Sequence, residues 1–322
     1  MKNYVQISNI IKKFNRVITV QGDKSISIRW ALMASQAVGK SRANNLLKSE
    51  DVESTLTALK KLGVKVLKNK KYCEIIGKGL NSYSFRNNTI INAGNSGTLA
   101  RLILGLLSNS NKSVIIKGDK SLSKRDFSRI IKPLNIFGVK VKSNKNKLPV
   151  ILKGTNCLRP IYFEEKKGSA QVKSCIMMAS LNTHGTTIIK CVNSRDHTER
   201  LFNYLKIPII IKKLSKTHQL IKIQGKNQYN AFNYNIPGDI SSAAFFLVLT
   251  ALSKNSKIII KNVNINKTRT GIIDILKKMN VNIKIKNNKL VNNESVGDIY
   301  VKSANSLKAI NCNSEINSRA ID

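Results

Sequence analysis

Lys24, Ser25 and Arg29 have the types and the spacing to grip an anion. Lys24 and Ser25 follow Gly22-Asp23, and Arg29 stands four residues after Ser25. Positions i and i+4 of a helix share a face, so the hydroxyl and the guanidinium point the same way. An apolar strand-like run, Phe14–Val20, comes before them, and a helix-like segment, Ile26–Val38, comes after. The pattern describes a helix N-terminus with available backbone N–H groups and two cations. Such an end favours a phosphate or a carboxylate. Taken alone, these residues read equally well as a surface N-cap at Ser25 beside two solvated cations.

The arrangement recurs. Ser25-Ile-Ser, Asn95-Ser-Gly-Thr, Gly168-Ser-Ala-Gln and Asp239-Ile-Ser-Ser each open a helix-like segment, at a spacing of about 70 residues, which marks an internal repeat. If the repeats pack about a shared axis, their helix N-termini converge, and Ser25, Ser96, Gly97, Ser169 and Gln171 line one pocket. Arg125 and Arg195, in the loops leading to the second helix of their repeats, add cations. One small polar residue at a helix start is an ordinary cap. Four in phase, with cations in phase beside them, point to a site for an anionic ligand.

These residues need elements to position them. Each opening helix is rich in Ala, Leu and Met and is expected to end at a polar turn: Gly39-Lys, Asn109-Ser-Asn, His184-Gly and Lys254-Asn-Ser. Strands follow at Ser41–Leu47, Ser113–Lys117, Thr186–Cys191 and Lys257–Val263. A second helix comes next, with Leu56, Leu59 and Leu62 at helical spacing in the first repeat. It stops at Gly63, with counterparts at Gly138 and Asn280, while Lys206 is the poorest match to a left-handed cap. Two short strands close the unit, as in Val64–Leu67 with Cys73–Gly77. The unit is therefore β-α-β-α-β-β in circular order, an α/β fold. The opening helices, Ala243–Leu252 among them, are nearly apolar all round and are expected to be buried. Pro237-Gly-Asp239 reads as a crossing. The first domain is expected at 21–236, with three units. The second is expected at 1–20, as a strand pair, plus 237–322, with one complete unit and the chain ending as the next begins.

Composition narrows the classes. A chain of 322 residues with 42% hydrophobic residues is long enough for two cores. Lys and Arg number 56 against 17 Asp and Glu, a net charge of +39. The lysines are scattered and aromatics are sparse at 6%, which favours an anionic small substrate over a nucleic-acid surface. Five dispersed cysteines without a C-x-x-C pair read as reduced thiols in a cytoplasmic protein. His184, His197 and His218 lack metal-ligand spacing, so no metal or cofactor is expected. No signal peptide is evident, and the longest apolar run, Ala243–Leu249, is too short to span a membrane.

The motifs together resemble the 5-enolpyruvylshikimate-3-phosphate synthase family. They are Gly22-Asp-Lys-Ser-Ile-Ser-Ile-Arg29, Gly94-Asn-Ser-Gly-Thr98 with Arg101, Lys124-Arg125, Gly168-Ser-Ala-Gln-Val-Lys-Ser174, Ser194-Arg-Asp-His-Thr-Glu199 and Pro237-Gly-Asp239. The strings Ser169-Ala-Gln-Val-Lys-Ser174 and Ser194-Arg-Asp-His-Thr-Glu199 resemble the second class of the family, and the likeness covers nearly the whole chain. The resemblance implies a two-domain inverted α/β barrel-like fold with three β-α-β-α-β-β units per domain. It implies transfer of the enolpyruvyl group of phosphoenolpyruvate to the 5-hydroxyl of shikimate 3-phosphate, by addition and elimination, with release of phosphate. It also implies a cofactor-free enzyme that binds neither nucleic acid nor membrane, and a monomer for a full-length chain.

By the same resemblance, Lys24 touches both substrates. Ser25, Arg29, Ser169 and Arg195 hold shikimate 3-phosphate, and Gln171 lies between the ligands. Gly97 and Arg125 bind phosphoenolpyruvate, the glycine by close backbone approach and the arginine by its fork of donors. Gly97 also matches the glyphosate-sensitive pattern. Asp322 aligns with the aspartate that takes the proton from the substrate hydroxyl and touches shikimate 3-phosphate. Two departures stand out. Asp126 replaces a usual proline, and the family continues for about a hundred residues, two units on this repeat, past the position of Asp322. The 322-residue chain alone is accordingly expected to turn over little or not at all, and 21–236 to fold alone and keep weak shikimate 3-phosphate binding. Three other readings stay open. A UDP-N-acetylglucosamine enolpyruvyl transferase typically has Lys-Asn in place of Lys24-Ser25, and a loop cysteine that Gly118–Arg125 lacks. A basic nucleic-acid-binding protein and an inactive truncated remnant are the others.

Overall fold

The computed structural model describes residues 11–320. Its elements repeat one order. The first set is β1 (Asn15–Thr19), α1 (Lys24–Ala34), β2 (Val38–Asn44), α2 (Glu50–Lys61), β3 (Lys65–Lys68) and β4 (Tyr72–Lys78). The second is β5 (Thr89–Asn92), α3 (Gly97–Leu107), β6 (Ser113–Lys117), α4 (Ser128–Ile136), β7 (Lys140–Asn144) and β8 (Lys147–Lys153). The third is β9 (Tyr162–Glu165), α5 (Ala170–Ser180), β10 (Thr186–Val192), α6 (His197–Tyr204), β11 (Ile209–Lys213) and β12 (His218–Gln224). The fourth is β13 (Asn233–Asn235), α7 (Ile240–Leu252), β14 (Lys257–Asn264), α8 (Gly271–Lys278), β15 (Asn282–Val291) and β16 (Glu294–Lys302), and α9 (Ser314–Ala320) follows it.

Each repeat makes a four-stranded sheet in which one edge strand is parallel to its neighbour and the other pairs are antiparallel. The orders are β5-β6-β8-β7, β11-β12-β10-β9, β13-β2-β4-β3 and β1-β14-β16-β15. Two edge strands are exchanged. β13 pairs with β2, Asn233 opposite Arg42, and β1 pairs with β14, Asn15 opposite Lys257. Alternation within strands sets which face is inward: in β8, Leu148, Val150 and Leu152 are buried while the lysines and Pro149 point out.

The chain divides into two compact units. The larger holds Gly22–Ile236 with the turn Val291–Glu294. In this unit that turn is held by His197, whose Nδ1 lies 2.7 Å from Glu294 Oε1, and by Arg200, whose Nη1 donates to the Asn293 carbonyl at 3.1 Å. Three helices, α1, α3 and α5, are buried along almost their whole length. The outer helix α2 shows why its sequence folds as it does. Ser49 caps it, Glu50, Asp51 and Glu53 meet the positive end of the helix dipole, Lys60 and Lys61 the negative end, and Leu56 and Leu59 face inward. The smaller unit takes 11–21, 237–290 and 295–320 of the described residues, and its core gathers Ile240, Ala243, Leu247, Ile258, Ile260 and Ile299.

The elements correct several expectations. α1 ends at Ala34, not Val38, because the Ser35 hydroxyl turns back to the Leu32 carbonyl, and β2 then starts at Val38. Gly39 therefore lies in the strand, at φ +105°, and does not end the helix. Lys206 does adopt the left-handed conformation, at φ +57°, the place that Gly63 and Gly138 fill in their repeats. Of the strand pair expected over 1–20, β1 is one member; residues 1–10 lie outside the described residues. α7 is not buried all round. Ile240, Ala243, Leu247 and Ala251 face the core, but Phe245 is 79% exposed and Leu252 67%. The reason is local: among the described residues of this unit, no helix packs along α7 as α3 and α5 pack along each other.

That α3–α5 contact is backbone against backbone. A Cβ on Gly105 would stand 2.3 Å from the Cys175 carbonyl oxygen and 3.1 Å from the Met178 Cβ. Gly105→Ala is expected to force the pair apart and to cost about 1–3 kcal/mol, the usual range for overpacking. Urea unfolding should show a lower midpoint with an unchanged slope.

Candidate functional site

Three helix starts of the larger unit carry the predicted residues, and side-chain caps build all three. Asp23 caps α1, its Oδ1 accepting from the Ile26 N–H at 2.9 Å. Ser96 caps α3 by accepting from Leu99 N–H at 3.2 Å, and Ser169 caps α5 by accepting from Val172 N–H at 3.4 Å. The cap of the first helix is thus Asp23, not Ser25. The aspartate caps the helix two residues earlier than Ser25 would, which places Lys24 and Ser25 inside the first turn. Ser25 is half-buried, and its carbonyl accepts from Arg29 Nη1 at 3.1 Å.

Arg29 reaches from α1 to two other helices. Its Nε donates to Thr198 Oγ1 at 2.8 Å and its Nη2 to Ser174 Oγ at 3.0 Å. Arg195 is half-buried in the turn before α6, one residue ahead of the helix-start residue Asp196 and three ahead of Thr198. Lys24 opens α1. Its ammonium is half-exposed and stands 3.4 Å from the Asp51 carboxylate.

A second group connects α3 to α5. Arg101 Nη1 donates to Gln171 Oε1 at 2.7 Å, and Gln171 Nε2 donates to Thr98 Oγ1 at 3.1 Å. Gly97 is buried between guanidinium groups: a Cβ there would meet Arg101 Nη1 at 2.7 Å and Arg125 Nη1 at 3.1 Å. Arg125 is exposed, and its Nη2 donates to Asn95 Oδ1 at 3.1 Å. The Arg101 guanidinium packs on the Phe127 ring. Burial, and then the charges of Arg125 and Arg129, pull the Arg101 pKa below its ordinary value. Like charges held together in this way gain when an anion comes between them.

The larger unit therefore brings together Gly97, Gln171 and Arg125 through Arg101, and ties Arg29 to the helices that Ser169 and Arg195 precede. Asp322 lies outside the described residues.

Other side chains set the predicted ones in place, and of these the motifs single out only Asp126, not Asp119 or Glu165. The Asp119 carboxylate accepts from Leu122 N–H at 2.7 Å and from Asn95 Nδ2 at 2.7 Å, which turns the Asn95 oxygen toward Arg125. Buried Glu165 accepts from Ser169 N–H at 2.9 Å and Lys167 N–H at 3.1 Å, which shapes the Gly168 turn at φ +66°. Asp126, in the place of a usual proline, accepts from Ser128 N–H at 2.9 Å and starts α4 by a side-chain bond. An acid shortly before a helix start or inside a basic loop is the signal that could have found them in a chain with 17 acids in all.

Comparison with known proteins is consistent across sequence and structure. The family model for EPSP synthase (3-phosphoshikimate 1-carboxyvinyltransferase) matches residues 8–317. A 3-phosphoshikimate 1-carboxyvinyltransferase of Petrotoga mobilis is 42% identical over 316 residues, covering 97% of this chain and 72% of the relative. One of Ruthia magnifica is 40% identical over 306 residues, covering 95% and 69%. A solved EPSP synthase of Acinetobacter baumannii superposes with a TM-score of 0.84 at 33% identity, covering 96% of this chain and 69% of that one.

The Asp119 pKa lies below the ordinary aspartate value of 3.8, first through the Leu122 N–H bond, with Asn95 adding to it. A carboxylate with a depressed folded-state pKa contributes in full above the unfolded value and loses that contribution as pH falls through the folded one. The Arg125 loop should therefore hold its order down to about pH 4 and lose it below. A ¹³C carboxyl titration that puts the Asp119 midpoint below 3.8 is the expected result.

Proposed function

Because this chain belongs to the EPSP synthase family, we propose that it carries the chemistry of that family: transfer of the enolpyruvyl group of phosphoenolpyruvate to the 5-hydroxyl of shikimate 3-phosphate, with release of phosphate. The product feeds aromatic amino acid biosynthesis through the shikimate pathway. The observation that supports the reading most directly is the run of contacts joining Arg125, Gly97, Arg101 and Gln171 across two helix starts. Two trianionic or near-trianionic substrates need this concentration of fixed donors and cations.

The proposed roles rest on the resemblance to the family, and the contacts described above support them. Ser25, Arg29, Ser169 and Arg195 hold shikimate 3-phosphate. Gly97 and Arg125 take phosphoenolpyruvate, and Gln171, fixed by Arg101, stands between the two ligands. Lys24 touches both: its ammonium exchanges the Asp51 carboxylate for substrate and stabilises charge that develops in the tetrahedral intermediate. Asp322 is the proposed acceptor of the proton from the substrate hydroxyl. We read the larger unit as the family's first domain and the smaller as part of its second.

No helix among the described residues is long and apolar enough to cross a membrane. All five cysteines are free thiols. Both facts accord with a cytoplasmic enzyme that works on small anions. The net charge of +39 remains spread over scattered lysines, without the interleaved aromatics of a single-strand binding surface.

Calorimetric titration of the chain with shikimate 3-phosphate tests the reading. Saturable binding is expected, and Arg195→Ala should weaken it by roughly ten- to a hundred-fold, the worth of a charge-assisted hydrogen bond. A folded sample that gives no heat with this ligand, but binds oligonucleotides with a steep salt dependence, would overturn it. Gly97→Ala is a second check. The added methyl meets the ends of two flexible side chains, so melting should barely change, while phosphoenolpyruvate binding in the presence of shikimate 3-phosphate should fall at least about ten-fold.

A further inference from the structure

The strings Ser169–Ser174 and Ser194–Glu199 divide in the middle. Their first halves carry the proposed ligand contacts Ser169, Gln171 and Arg195. Their second halves pair with each other. Lys173 Nζ lies 2.5 Å from Glu199 Oε1, and the Ser174 and Thr198 hydroxyl oxygens are 2.6 Å apart. Two successive residues of α5 thus meet two successive residues of α6 in reverse order, as the rungs of a short ladder. Both rungs are sealed: the Lys173 side chain is 0% exposed and that of Glu199 2%.

Arg29 of α1 enters the second rung. Both hydroxyl oxygens accept from its guanidinium, Thr198 Oγ1 from Nε and Ser174 Oγ from Nη2. One hydroxyl proton lies between the two oxygens. The guanidinium plane is therefore set by two side chains and, through Nη1, by the carbonyl of Ser25 on its own helix. A buried ion pair stabilises little compared with an apolar pair of the same shape, so the first rung is not explained by stability. It is explained by register: with Lys173 and Glu199 fixed, Ser174 and Thr198 cannot slide past one another. A side chain ordered before its ligand arrives spares the entropy of ordering it on binding.

We propose that Ser174 and Thr198 are positioning residues that preset the Arg29 guanidinium for a carboxylate or phosphate of the substrate, with the Lys173–Glu199 pair keeping them in register. The proposal rests on the reading that Arg29 meets substrate, and it adds two hydroxyls to which that reading gives no role.

Two measurements on the full chain test it. The first needs no ligand. With ¹⁵N-labelled arginine, the Arg29 Nε–H resonance, identified by its loss in Arg29→Lys, should exchange slowly with water. It should keep that protection in Thr198→Ser, which retains the hydroxyl, and lose it in Thr198→Val, which retains the shape. The second is a double-mutant cycle on shikimate 3-phosphate binding. Thr198→Val and Ser174→Ala should each weaken binding about ten-fold in the parent chain and less than about two-fold in an Arg29→Lys background. Equal losses in both backgrounds would mean that the hydroxyls act on the fold alone, and would overturn the proposal. So would an Arg29 resonance that exchanges rapidly in the parent or stays protected in Thr198→Val with melting unchanged. If the parent chain shows no ligand binding, the substrate reading fails, while the exchange measurement still decides whether the hydroxyls set Arg29.

Discussion

Two helices of the larger unit touch without side chains between them. Gly105 brings α3 against the Cys175 carbonyl of α5, closer than any residue with a Cβ permits. The approach sets the distance between the two helix starts, about two turns away. At that distance an arginine on α3 spans to a glutamine on α5, and the 2.7 Å bond from Arg101 to Gln171 follows. The burial of α1, α3 and α5 depends on the same closeness, because helices sealed along their length show solvent only their ends. The ends are where backbone N–H groups point outward and where the dipoles are positive. A packing constraint in the middle of the unit thereby determines the electrostatics of its rim.

That rim is costly in the absence of a ligand. Burial first, and then the charges of Arg125 and Arg129, lower the Arg101 pKa. The unit balances the charge with a few acids set at fixed points. Asp51 faces Lys24, Asp119 holds Asn95 toward Arg125, and Asp126 starts α4 beside them. Asp119 and Asp126 are bound to backbone N–H groups and an amide, so the three arginines are only partly compensated. Such a surface is built to be completed by an anion, and the helix starts contribute to it without any side-chain charge.

Local rules made much of the fold legible. The closing strands expected at Val64–Leu67 and Cys73–Gly77 form as the antiparallel pair Lys65–Lys68 and Tyr72–Lys78, and Gly63 and Gly138 end helices because a left-handed residue is needed there. Local rules also failed in definite places. Ser25 looked like a cap because serine is a good one, but Asp23, two residues earlier, caps the helix through the Ile26 N–H. Lys206 looked like a weak helix stop, since lysine has no intrinsic preference for φ +57°, yet the helix-end bond from Ile207 N–H to the Phe202 carbonyl closes around it. Apolar composition placed α7 in a core, yet burial depends on neighbours, and neighbours are not written in the helix itself. In the site, types and spacing pointed to the cations and small residues. The groups that orient them, Asp119 and Glu165, stand a few residues away in the same loops and carry no motif.

The exchanged edge strands have a consequence for the order of events on the ribosome. β1 is made first, but its partner β14 begins about 240 residues later, with the whole of the larger unit's continuous segment between them. At 5–20 residues per second, roughly ten to fifty seconds pass before that partner exists. For all of that time Asn15–Thr19 is a strand without a sheet. The sheet containing β2 waits in the same way for β13, which closes it only as the segment is finished. β1 is thus made long before the sheet that uses it can form.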